Sequence, residues 1–197
     1  MNREQWLNNF YSESVNFIDS KVIELKPKYP WFRTASELKD KIKFSTTAPT
    51  RGKYIGLNFK SSCSESKYSE VFISAKINDS MQVASTLIHE VIHSVDDNKS
   101  GHRKPFSSLA KLLLLEGKPT ATTHSEEFVK HFTPIIDKLG AYPHSKMTLS
   151  INIKKQTTRL LKAKCVTCDW SYRITRLQAE RGLSSCGACD DKMMLTV

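Results

Sequence analysis

Between Ser80 and Val95 the chain sets Val83, Leu87, Ile88, Val91, Ile92 and Val95 around His89, Glu90 and His93. Asp79 stands in front as an N-cap, and Gln82 three residues on can close a capping box, so a helix is expected from Ser80. These apolar neighbours imply that the helix is buried in a core, which suits a rigid site. Residues four apart lie one above the other on a helix, so His89 and His93 can reach one ion. Glu90, a step round from His89, can address a water on that ion instead of binding it. If the ion is zinc, it lowers the pKa of that water towards ~7, and Glu90 takes the proton as the water attacks a carbonyl. The bland alternative is an ordinary buried helix with two incidental histidines.

A catalytic zinc takes three protein ligands and keeps one position open. His102 is the expected third ligand, separated from His93 by the polar, turn-prone stretch Ser94–Gly101. That length lets the chain leave the helix and bring a side chain back. A thermolysin-like arrangement would use a downstream carboxylate instead, for which Glu116, Glu126 and Glu127 are available, and His124 is a further donor.

Five cysteines leave an odd one, Cys63, in a Ser-rich stretch. The other four form two pairs, Cys165-x2-Cys168 and Cys186-x2-Cys189, 17 residues apart. In a chain without an export signal this spacing favours a four-thiolate zinc ribbon over disulfides. Each pair supplies two thiolates, and all four positions are protein ligands, so this second zinc is structural. A segment this small builds little core, and the metal substitutes for it. Two zinc ions per chain are therefore expected, one catalytic and one structural.

Around these centres the elements follow from pattern. Residues 3–25 form an amphipathic helix ended by Lys26-Pro27, and a short helix over Ser36–Lys41 has Ser36 as its cap. Strands are expected at Ile42–Ser45, Tyr54–Phe59 and Tyr68–Ile77. After the metal helix come a helix over Lys104–Leu115, broken at Glu116–Pro119, and another capped by Thr123 and running to Leu139. Ala141–Thr148 reads as loop. The order is α+β, with one domain over residues 1–148 and a basic linker or strand plus ribbon over 149–197.

Of the net charge of +10, residues 144–197 carry +6, from ten Lys/Arg and four Asp/Glu. Four thiolates and one zinc reduce that to about +4, because coordinating thiols are deprotonated. The tail still suits a polyanion. Arg159, Lys162, Lys164, Arg173 and Arg176, with the aromatic faces of Trp170 and Tyr172, form a candidate nucleic-acid set without sequence specificity. A solvated basic face is the plainer reading. No stretch has the length of a membrane span, and the N-terminus lacks a secretory signal, so a soluble, cytoplasmic protein is expected.

From Leu87 to Phe106, LIHEVIHSVDDNKSGHRKPF resembles the SprT/Spartan-type metallopeptidases. Their pattern is HExxH, a variable polar loop, then Gly-His with a Phe four residues later, here Gly101, His102 and Phe106. Residues 115–122, Tyr142-Pro143-His144 and residues 155–160 are similar to a SprT-like branch found in phages and bacteria, which would place the chain in a host cytoplasm if phage-encoded. The resemblance spans roughly residues 40–197. It implies a zincin-like domain, His102 as third zinc ligand, Phe106 in the core, a C-terminal zinc ribbon, and a protein substrate near DNA. It also implies that Tyr68–Ile77 lies along the cleft, where an edge strand could pair with an extended substrate; a plain core strand is the alternative. Tyr142 and His144 are candidates for stabilising the oxyanion, against a packed tyrosine in a surface loop. The chain is thus expected to be a zinc endopeptidase. The rival expectation is a nucleic-acid-binding ribbon protein whose HExxH domain does not hydrolyse.

Overall fold

The computed structural model describes residues 1–49, 52, 54–148 and 160–196. The chain divides into two compact units, Met1–Leu149 and Ser150–Val197. The first unit combines helices with a three-stranded sheet and a hairpin, and the second is a three-stranded sheet beside the cysteine cluster.

The first unit opens with α1 (Arg3–Leu25), capped by Asn2 in a capping box with Gln5. Trp6, Leu7, Phe10, Tyr11, Ile18 and Val22 recur at three- and four-residue steps, and all are buried. That stripe stacks Trp6 on Phe10, sets Phe10 against Phe132 and Tyr11 against Phe44. The two polar atoms it buries are both used: Trp6 Nε1 donates to the Gly140 carbonyl at 2.8 Å, and the Tyr11 hydroxyl donates to the Ala35 carbonyl at 2.7 Å. The N-terminal helix is thus part of the core and not an appendage to it.

The short helix α2 (Ala35–Leu38) is capped by Thr34 with Glu37, two residues earlier than the Ser36 cap expected. Thr34 wins because its hydroxyl reaches the Glu37 amide while the Glu37 carboxylate returns to the Thr34 amide.

Strands β1 (Ile42–Thr47), β2 (Gly56–Phe59) and β3 (Ser69–Ser74) form a sheet in the order β1-β3-β2, with β1 parallel and β2 antiparallel to β3. The strand before the metal helix is therefore central, not the edge strand that could pair with a substrate. Both of its backbone edges are used, by β1 and by β2. Val71 and Ile73 on β3 are fully buried, as a central strand requires.

Helix α3 (Ser80–Asp96) lies under this sheet, with Val83, Leu87, Ile88, Val91, Ile92 and Val95 wholly buried. Asp79 caps it by accepting from the Gln82 amide at 2.7 Å, but the return bond that would complete a capping box is not made. A polar seam joins helix to sheet. Asn58 of β2 donates to the Glu90 carbonyl at 3.0 Å and to Ser94 Oγ at 2.6 Å, and accepts from Asn98 Nδ2 at 2.6 Å.

Helix α4 (Lys104–Leu112) stops three residues short of expectation. Leu113 caps it, Leu114 turns into the left-handed region at φ 64°, and the chain enters a hairpin, β4 (Leu115–Lys118) and β5 (Ala121–His124). Thr123 lies within β5, so Ser125 caps the following helix α5 (Glu126–Leu139) instead, accepting from the Phe128 amide at 3.1 Å. Phe128 and Phe132 carry α5 onto α1.

The second unit pairs β6 (Leu161–Cys165) with β7 (Ser171–Ile174) on one side and β8 (Met193–Thr196) on the other. A five-residue helix α6 (Arg176–Glu180) follows β7. Its buried set is small: Ala163, Cys165, Cys186 and Met193. No helix among the described residues is long and apolar enough to cross a membrane.

Candidate metal centres

His89 and His93 stand one turn apart on α3, and the chain must reverse to bring a third donor to them. The residues Asp96–Gly101 do this. Asp97 and Asn98 both take left-handed backbone, φ 52° and 54°, and Gly101 takes φ 54°. Asp and Asn tolerate that region better than most residues, and Gly does so freely. The Asn98 amide then donates to the His93 carbonyl at 2.9 Å. Inside the bend the fully buried Asp96 carboxylate accepts from the Ser100 amide at 2.6 Å, the Ser100 hydroxyl at 2.8 Å and Trp31 Nε1 at 2.8 Å. Arg33 ties the outside, donating to the Ser94 carbonyl at 2.7 Å and to Asp97 Oδ1 at 3.0 Å.

The loop delivers His102. Its Nε2 lies 3.2 Å from His93 Nε2 and 3.3 Å from His89 Nε2. Two imidazole nitrogens held at about 2.0–2.1 Å by one tetrahedral ion stand roughly 3.3 Å apart, so the spacing fits a shared metal. Phe106, fully buried at the start of α4, meets all three rings with centroid distances of 4.6–4.9 Å and forms the floor beneath them. Burial, and secondarily the neighbouring imidazoles, push the His89 pKa down to about 4 and that of His93 to about 3. Burial lowers His102 as well. All three rings are thus neutral near pH 7, the form in which imidazole offers a lone pair.

The Glu90 side chain lies against Gly56 of β2. It is 6% exposed, and burial pushes its carboxyl up to about 8. The room it occupies exists because residue 56 is Gly. A Cβ built there would collide with Glu90 Oε1 and come within 2.9 Å of Glu90 Cγ and 2.8 Å of Thr86 Cγ2. Here a strand glycine marks a close approach.

Glu116, Glu126, Glu127 and His124 do not join the histidines. They line a separate open depression at the hairpin and the start of α5. Tyr142 and His144 are held elsewhere too. Tyr142 packs edge-on against Trp6, its amide donates to Ser80 Oγ at the opposite end of α3, and burial raises its phenol to about 12. His144 sits 3.0 Å from the Ala75 carbonyl and 3.5 Å from Arg3. These contacts tie the loop down and give neither residue a place beside the metal group. His131 packs against Phe17 with ring centroids 3.9 Å apart and planes tilted by 34°, a packing role between α1 and α5. Cys63 ends a single 3-10 turn, exposed and unpaired with another cysteine.

The four ribbon cysteines converge as well. Sulfur separations are 3.6 Å for Cys165–Cys189, 3.5 Å for Cys168–Cys186 and 3.7 Å for Cys168–Cys189. These are far beyond a disulfide and close to the roughly 3.8 Å between thiolates that share a tetrahedral ion at about 2.3 Å. The amides of Cys168 and Thr167 point at Cys165 Sγ and lower its pKa to about 7. The Ala188 amide points likewise at Cys186 Sγ, 3.4 Å away. Both groups, His89/His93/His102 and Cys165/Cys168/Cys186/Cys189, can hold a metal ion.

The candidate nucleic-acid residues are sorted by the sheet. Lys162, Lys164 and Arg173 alternate with the buried Ala163 and Cys165 and the half-buried Tyr172, so they share the outer face. Lys164 is partly spent on Asp169, 2.8 Å away. Trp170, 41% exposed, lies over Gly187, and Arg176 starts α6. Arg159 lies outside the described residues.

No family model, curated protein or solved structure matches the chain.

Proposed function

We propose that the chain is a zinc-dependent endopeptidase of SprT-like type with a zincin-like catalytic unit. The observation that carries this reading is the ring of three Nε2 atoms, with a buried carboxylate on the residue next to the first of them. Three neutral imidazoles with one position left over suit a catalytic zinc, and four thiolates suit a structural one. His89, His93 and His102 would hold the zinc ion, which would supply Lewis acidity to the peptide carbonyl and acidify a water. The positive charge of a zinc ion at the histidines would oppose the effect of burial and favour ionised Glu90. Glu90 would then accept a proton from that water as the C–O bond forms and pass it to the departing amine nitrogen as the C–N bond breaks. Phe106 beneath and the apolar face of α3 keep the rings fixed throughout.

In a second role, the ribbon grips nucleic acid and brings the peptidase to DNA-associated proteins. The outer face favours it, since Lys162 stands directly opposite Arg173 across the ladder. Like charges in that register repel, and a phosphate between them removes the cost. The competing class is a nucleic-acid-binding protein that does not hydrolyse.

Glu90→Gln separates the two. This variant is expected to keep two zinc ions and its fold and to lose cleavage of unfolded and DNA-bound protein. If wild type and variant are equally inert on both substrates, the peptidase reading fails and the binding class stands.

A further inference from the structure

His89 has two ring nitrogens, and the metal reading uses only one. The other, Nδ1, lies 2.7 Å from Thr122 Oγ1 on β5. Nothing in the residues around Thr122 announces such a contact; it follows from the hairpin. Leu115 is buried and anchors β4, and β5 alternates outward and inward, leaving Ala121 and Thr123 exposed and Thr122 and His124 half-buried. Across the ladder Thr122 faces Gly117, which has no side chain to compete for its hydroxyl.

Neutral imidazole carries one proton and one free lone pair. For Nε2 to offer its lone pair beside His93 and His102, Nδ1 must hold the proton, and Thr122 Oγ1 is the acceptor in place to receive it. The ring is thereby fixed in both tautomer and rotation. His93 has no equivalent, because its Nδ1 is buried without a hydrogen-bond partner among the described residues. We propose that Thr122 is a positioning residue of the histidine centre, and that the β4–β5 hairpin sets the metal affinity of that centre through its hydroxyl. This rests on the reading of the three histidines as a zinc site.

The test is competition for zinc between the 197-residue chain, loaded with zinc, and a chromophoric chelator, with the variants Thr122→Val and Thr122→Ser. Val keeps the shape and removes the hydroxyl, and is expected to weaken the histidine site roughly 10- to 100-fold. Ser restores the hydroxyl and is expected to stay within a few-fold of wild type. The ribbon site should not change in either. Nitrogen-15 shifts of the His89 ring should report a protonated Nδ1 in wild type and Ser, and a mixed tautomer in Val after zinc removal. Equal zinc affinity in wild type and Val overturns the proposal alone, as does an equal loss in Val and Ser. A wild-type chain that takes up only the ribbon zinc overturns the proposal together with the site on which it rests.

Discussion

At the scale of single residues, the histidine centre depends on what is missing as much as on what is present. Gly56 lacks the methyl group that would push Glu90 out of its place. Gly56→Ala should therefore fold, at a cost of about 1–3 kcal/mol for overpacking, and leave metal binding at the histidines and cysteines as in wild type. If the chain is the peptidase proposed, its cleavage should fall roughly 100-fold in this variant, since a displaced base costs far more in rate than in binding. Metal analysis alongside initial rates checks this, and normal rates would show that Glu90 tolerates the methyl. Tyr11 gives a pH dependence. Burial, and then the charge of Asp19, raise its phenol well above the ordinary value of about 10. The folded-state pKa thus exceeds the unfolded one, so the stabilisation is complete below pH ~10 and is lost as pH rises above it. Urea unfolding between pH 8 and 11 should show a steep alkaline loss in wild type and a shallower one in Tyr11→Phe. At neutral pH the Phe variant should be weaker by about 1 kcal/mol, for the lost bond to Ala35.

At the scale of elements, the segment Asp96–Gly101 decides whether His102 meets its partners. Asp96→Ala would leave the Ser100 amide and hydroxyl and Trp31 Nε1 without their acceptor. A loss of about 2–4 kcal/mol in stability is expected, with metal binding weakened at the histidines and unchanged at the cysteines. Equilibrium unfolding and stepwise chelation would measure both. The helices α1 and α3 were legible in the sequence because their apolar residues recur at helical steps and their caps are local. The β4–β5 hairpin was not. Leu112 to Leu115 looks like the continuation of a helix, and only the left-handed turn at Leu114 shows that it is not. The central place of β3 was equally hidden, because β1 and β2 reach it from either side through pairings that leave no mark on its own residues. Among site residues, His89, Glu90, His93 and His102 lie within one short stretch and could be read. Gly56, Asn58 and Thr122 enter from other strands and could not.

At the scale of the whole molecule, the two units hold themselves together differently. The first has an apolar core running from Trp6 to Tyr142 to which the three clustered histidines do not belong. The second buries little beyond Ala163, Cys165, Cys186 and Met193. If both groups hold metal, a strong chelator should therefore unfold only the second unit, with a change in Trp170 fluorescence. The far-ultraviolet signal of α1, α3 and α5 should persist. Simultaneous loss of both signals would show that the first unit also requires its ion.

The register of Lys162 against Arg173 has a consequence for how the ribbon responds to its surroundings. Two cations held face to face on a sheet that has little else to stabilise it repel one another, and dissolved anions screen that repulsion. Ionic strength should then act on this unit as a ligand does, raising its melting temperature while weakening its grip on any polyanion. Folding and binding would compete for the same counterions.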